Sequence, residues 1–306
     1  MIPSSVSRHP VFWATVPVLC GALAGSGLVS TPAAANVLLD EPTAVSGYTY
    51  VERHSTYDSG SSRDVSAPCP SGKVVLAGGV SFVGGKRGVL LRGSYPVHSS
   101  AGDGWTASAE EVGAGTTANW QLRAYAVCAD KPAGLTYKQA TSAFDSFSPK
   151  TVAVACPAST RLIGLGARVT GADHRVGVNS ITLTRRLRVG YARAGEAVPT
   201  ARRWALTTYA VCAKPLEQTF HESAWKSAAP AASSNTAVAR CWPGSRAYAT
   251  GLVFSGSSAT LDRLAPVELR PTSIPPAPAE GRVGLTELAP GTPATWSLKA
   301  QVICVR

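Results

Sequence analysis

Cysteine and arginine are the residues of this 306-residue chain whose spacing most directly suggests chemistry. Six cysteines lie beyond the N-terminal apolar run: Cys69, Cys128, Cys156, Cys212, Cys241 and Cys304; Cys20 lies inside it. An even set in an exported chain reads as three disulfides. Zinc, the competing use of thiolates, needs ligands in spacings such as C-x2-C. None occurs, so neither a metal site nor a cofactor is expected.

The arginines cluster in one stretch, TRRLRVGYARAGEAVPTARRW. It holds Arg185, Arg186, Arg188, Arg193, Arg202 and Arg203. The formal net charge is +11, and residues 137–214 carry 12 basic against 3 acidic residues. Guanidinium groups pair with carboxylates and phosphates, so these six are the candidate site for an anionic surface polymer or polysaccharide. Ile181, Leu183, Leu187, Val189 and Tyr191 are read as one face of a continuous strand, with Arg186 and Arg188 on the other, facing solvent. No RNP, helix-turn-helix or zinc-finger pattern accompanies the charge, so no specific nucleic acid is expected. A second binding chemistry is available to aromatic rings outside the repeated strands: Trp225, Trp242, Tyr48 and Tyr57 could stack on sugars, as in a carbohydrate-binding module.

Catalytic patterns are thin. His54, His98, His174 and His221 form no H-E-x-x-H, and no G-x-S-x-G nucleophile elbow follows the N-terminal run. Asp173–His174 and His221–Glu222 are sequence neighbours, which point apart on a strand. Glu110–Glu111 is an acidic doublet on an expected strand, with one side chain facing in and the other out. The expectation is a non-enzymatic protein with no catalytic residues. A carbohydrate-binding module is the alternative, and a secreted hydrolase of unrecognised type is a second.

The elements that must position these groups come as a repeat. WQLRAYAVC (120–128) returns as WALTTYAVC (204–212) and WSLKAQVIC (296–304). Its period of two, with Trp120, Leu122, Ala124, Ala126 and Cys128 on one side, specifies a strand with one buried face. Each repeat holds another cysteine early, with proline near it, as in CPSGKVVLAGG. The repeat therefore selects one pairing from the fifteen possible: 69–128, 156–212 and 241–304. Repeats are placed at 50–131, 137–214 (the basic one) and 220–306. Five or six short strands per repeat, with no convincing helix, make the fold all-β. Three tandem, disulfide-stapled, sandwich-like repeats are the first arrangement considered; one pseudo-threefold, prism-like body is the alternative. Tryptophan eight residues before the second cysteine excludes immunoglobulin topology.

Arg8, the apolar run 11–29 and the small residues Ala33 and Ala35 form a signal peptide over 1–35. A leader, 36–49, precedes the first repeat. No later stretch has the ~20 apolar residues of a membrane span. The protein is therefore expected to be secreted, extracellular or attached to the cell envelope. The pattern CP-x-G-K-x-V-x-x-G-G, S-Y-P, G-W-T and W-x-L-x-A-Y-A-V-C-A resembles a recurrent module in secreted proteins of high-GC Gram-positive bacteria. Unit one matches throughout, from Cys69 to Ala129. Val189 replaces the G-W-T tryptophan in the second repeat, and Gln301 replaces the tyrosine in the third. The resemblance implies export and brings no activity with it. In shape alone, the threefold CP-repeats are similar to the vitelline membrane outer layer proteins, which implies a β-prism.

Overall fold

Period-two segments in the first third of the chain form β1 (Thr49–His54), β2 (Ser62–Pro68), β3 (Val74–Gly84), β4 (Val89–Ser99), β5 (Gly102–Glu111) and β6 (Trp120–Ala129). The second third supplies β7 (Thr136–Thr141), β8 (Lys150–Ala155), β9 (Arg161–Gly171), β10 (Val176–Leu183), β11 (Val189–Glu196) and β12 (Trp204–Ala213). The last supplies β13 (Thr219–Glu222), β14 (Lys226–Ser227), β15 (Ser234–Arg240), β16 (Arg246–Ser255), β17 (Leu264–Thr272), β18 (Glu280–Glu287) and β19 (Ser297–Val305). A four-residue helix, α1 (Ser258–Leu261), lies before β17. This computed structural model describes residues 45–85, 87–228, 233–273, 277–292 and 294–306. The expected signal peptide and residues 36–44 of the expected leader lie outside the described residues.

Strand pairing decides between the two expected arrangements. One sheet runs β1-β6-β3-β17-β18-β15, a second β2-β5-β4-β9-β12-β7, and the third β13-β19-β16-β10-β11-β8, with β14 also on β19. Each third thus splits into two half-sheets, and each half-sheet joins one from a neighbouring third. The separate sandwiches of the first arrangement are corrected to one body of three shared sheets. The described residues all belong to one compact unit. The physical reason is edge satisfaction: β3–β17, β4–β9 and β10–β16 pair through their backbones, leaving no free edge at the centre of any sheet. Glycines allow these seams. A Cβ on Gly79 would overlap the Leu269 carbonyl oxygen, and one on Gly166 would lie 2.5 Å from that of Ser94.

The disulfides pair Cys69–Cys128, Cys156–Cys212 and Cys241–Cys304, as the repeat implied. They close loops of 59, 56 and 63 residues, each worth about 4 kcal/mol in the chain-entropy account. Three such bridges are those of an oxidising environment.

Two readings of individual strands are corrected. The recurring phrase was expected to bury one face, yet Tyr125 and Val127, on its other face, are also fully buried. Tyr50 stacks on Tyr125 at 5.8 Å, and the Arg270 guanidinium from β17 lies 5.3 Å from its ring. The expected continuous strand through residues 181–191 is a hairpin, β10–β11, broken at 184–188. Leu187 there has φ 51° and is buried, and its amide donates to the Thr184 carbonyl at 2.9 Å.

At the other end of the sheets the same clasp occurs three times. Trp120 Nε1 donates to Glu111 Oε1 at 3.2 Å, Trp204 to Glu196 at 3.4 Å and Trp296 to Glu287 at 2.9 Å. Each carboxylate's second oxygen accepts a loop amide, from Thr116, Thr200 and Thr292 respectively. A buried tryptophan keeps its N–H satisfied, and the carboxylate holds the loop between the two strands.

Candidate functional site

The six arginines do not share one surface. Arg185, Arg186 and Arg188 lie in the β10–β11 turn. Burial of Leu187 pins that turn and throws Arg185 and Arg186 into solvent. Arg188 is half-buried and donates to the Ala158 carbonyl. Arg193, in mid-β11, forms an ion pair with Asp262 at 2.8 Å and is largely withdrawn from solvent. Arg202 and Arg203 sit beyond the far end of β11, where Arg203 Nε donates to the Phe144 carbonyl. The stretch is a turn, the single strand β11 and a loop, so Arg185 and Arg186 lie at one end of it and Arg202 and Arg203 at the other.

The turn meets something the sequence reading did not supply. Arg185 Nη2 bonds Glu222 Oε2 at 2.7 Å, linking the second third of the chain to the edge strand β13 of the third. Lys299, on β19, lies 3.8 Å from the same carboxylate. Its ammonium also sits 4.9 Å from the Trp225 ring, whose residue is 48 % exposed. Gln301 Nε2 donates to Glu222 Oε1 at 3.0 Å, while its own Oε1 accepts the Leu183 amide at 2.8 Å. Glutamine in place of tyrosine thereby ties β10 to the depression. Burial raises the Glu222 carboxyl, but the Gln301 hydrogen bond and the Arg185 and Lys299 cations outweigh it and hold the group below its ordinary range.

Together Arg185, Phe220, Glu222, Ser223 and Lys299 line an open depression of about 600 Å³. Two cations, Arg185 and Lys299, stand against one carboxylate, with the Trp225 indole beside Lys299. Such a surface can pair with the acid groups of a polymer and stack on its rings.

The other aromatic candidates separate. Trp242 is 60 % exposed and stands edge-on to His221 at 5.5 Å. Tyr57 is exposed and lies against the Gly84 backbone. Tyr48 is withdrawn: its hydroxyl donates to the Ala247 carbonyl at 3.1 Å, and burial pushes its pKa up to about 12.

Of the histidines, His98 finds a carboxylate, with Nδ1 2.5 Å from Asp103 Oδ1. Asp103 Oδ2 also accepts the Tyr137 hydroxyl at 3.0 Å and the Val75 amide at 3.1 Å, and Tyr137 stacks on the His98 ring. The cluster ties β7 to β3 and the β4–β5 turn. Among the described residues, no hydroxyl or thiol is hydrogen-bonded to His98 as a nucleophile would be. Against the expectation that one faces out, Glu110 and Glu111 are both buried: Glu111 binds Trp120, while Glu110 pairs with Arg92 at 3.1 Å. Asp173, beside His174, also meets Arg92 at 3.1 Å.

No protein-family model and no curated protein matches the chain. Among the described residues, no helix is long and apolar enough to cross a membrane.

Proposed function

We propose that this protein works outside the cytoplasm, in the medium or on the cell envelope, and binds an anionic surface polymer without catalysing a reaction. An acidic polysaccharide fits best. Its acid groups would meet Arg185, Arg186 and Lys299, and one sugar ring would rest against Trp225. The observation that carries this reading is the Arg185–Glu222 pair, which brings the basic turn beside an exposed indole and a second cation. An open depression suits a chain that continues past both rims better than an enclosed small molecule. Export agrees with the three disulfides and with the resemblance to a module in secreted proteins of high-GC Gram-positive bacteria.

The test is retention on immobilised polygalacturonate at low and moderate salt. Binding should weaken as salt rises, because exposed charges are screened beyond about 8–10 Å near physiological ionic strength. Arg185→Glu with Arg186→Glu should lower affinity by roughly tenfold or more, about 1.4 kcal/mol or above. Retention that ignores both salt and charge reversal overturns the proposal. A loss with Trp225→Ala as large as that from charge reversal favours ring stacking as the main contribution.

A further inference from the structure

At the tryptophan end of the sheets, all three thirds of the chain surround a cavity of about 490 Å³. Corresponding positions encircle it. The amides of Val112, Ala197 and Leu288 donate to the carbonyls of Gly88, Arg175 and Arg263, at 2.9, 2.8 and 2.8 Å. All three donor residues line the cavity, which therefore lies on the pseudo-threefold axis. Leu90, Ala197, Ala265 and Leu288 form a small apolar cluster there, separate from the main core. Strand register equates Leu90 and Ala265 with Gly177 of β10. A Cβ on Gly177 would come within 3.2 Å of Leu90, so glycine there lets the Leu90 side chain pack against β10.

The polar part of the lining has one sign. Among the described residues, its charged side chains are Arg87 and Arg263. Backbone carbonyls hold both: Arg87 donates to Glu287 and Pro290 at 3.3 and 3.0 Å, and Arg263 to Ala197 at 3.4 Å. Arg175 stands close by, on the Pro199 carbonyl at 3.2 Å. None of the three has an ion-pair partner among the described residues, and each retains unused N–H donors. The nearby carboxylates of Glu111 and Glu287 already accept an indole and a loop amide each. Guanidinium groups positioned over an apolar floor, inside a concavity, suit an anion whose body fills the space.

We propose that this axial cavity is a binding site for a small organic anion: one carboxylate or phosphate group on a body about the size of a single sugar ring. Arg87 and Arg263 take the charge, and Val112, Ala197 and Leu288, which line the cavity, take the body. The site lies apart from the arginine turn, so it stands whether or not the polymer reading does.

Calorimetric titration of the disulfide-intact protein with glucuronate, with glucose 6-phosphate and with glucose tests it. At least one acid should bind one-to-one, and glucose roughly tenfold more weakly or worse. The two acids distinguish a carboxylate ligand from a phosphate. Arg87→Gln with Arg263→Gln should weaken the acid at least ~10-fold. Ala118 is exposed on the rim, so Ala118→Trp should fold and should block entry with both arginines in place. Arg185→Glu with Arg186→Glu should leave this binding unchanged. No heat from either acid up to ~10 mM, glucose binding as well as the acids, or acid binding that survives both the arginine pair and Ala118→Trp overturns the proposal.

Discussion

The turn after the fourth strand differs between the first two thirds of the chain, while the tryptophan clasp at the opposite end does not. In the first third that turn is Ser99–Gly102, closed by the Ser99 hydroxyl on the Gly102 carbonyl at 3.2 Å, with no basic residue. In the second it is Thr184–Arg188, closed over a buried Leu187 and carrying three arginines. The clasp keeps Glu111, Glu196 and Glu287 on their tryptophans in all three. Whatever the shared sheets require must be supplied three times. Whatever occurs once is free to serve a ligand.

Breaking the recurring part should cost the most. Trp204 is fully buried, with its N–H on Glu196 and the Lys150 ammonium 4.5 Å from its ring. Trp204→Ala should destabilise by about 3–5 kcal/mol in denaturant unfolding. Reversal of Arg185 and Arg186, both exposed, should stay within about 0.5 kcal/mol. Equal losses from the two would erase the contrast. Next comes the seam between the first and second thirds, where Arg92 is buried against Glu110 and the Gly171, Ala172 and Val176 carbonyls. Arg92→Met leaves the Glu110 carboxylate buried without its cation, a loss of roughly 3 kcal/mol. Glu110→Met added to it should recover much of that loss, because a methionine pair needs no hydration. A double variant no better than the single one would show that the backbone carbonyls, rather than the ion pair, need Arg92.

The same contrast explains what could be read before folding. Disulfide pairing and the core strand were legible because each is written three times with a fixed period. The clasp was legible in principle: glutamate closes each of AEE, AGE and LTE, and T-x3-W follows in all three. Only a side-by-side reading of those ends exposes it, since no single glutamate looks unusual. The hairpin at 184–188 was hidden by parity. Leu183 and Leu187 are four apart, an even spacing, so the alternation runs through the turn as if no turn existed. Sharing of sheets between thirds left only glycines as a trace, because backbone hydrogen bonds make the seams and impose little on side-chain type. Arg193 was counted among the candidate anion-binding residues because its partner, Asp262, is 69 residues away and leaves no local sign.

The smallest effect concerns acid. Asp58 accepts the Thr56 hydroxyl at 2.5 Å and the Gly60 amide at 2.8 Å, and pairs with Arg63. Led by the Thr56 hydrogen bond, these contacts lower its pKa from 3.8 to about 2. Asp145 holds the corresponding place against Trp204, and the Lys150 ammonium lowers its pKa too. A carboxyl whose folded pKa lies below its unfolded value binds fewer protons when folded. Its contribution is therefore present above about pH 4 and lost as pH falls through 2. Melting temperature between pH 5 and pH 2 should fall less steeply for Asp58→Asn with Asp145→Asn than for the unaltered protein, with other carboxylates leaving a residual slope. Charge reversal at Arg185 and Arg186 should leave the contribution of Asp58 and Asp145 to that slope intact, because those carboxylates belong to the tryptophan end. If the asparagine pair and the unaltered protein melted along the same curve, Asp58 and Asp145 would have to be detached from the clasp and counted with the surface.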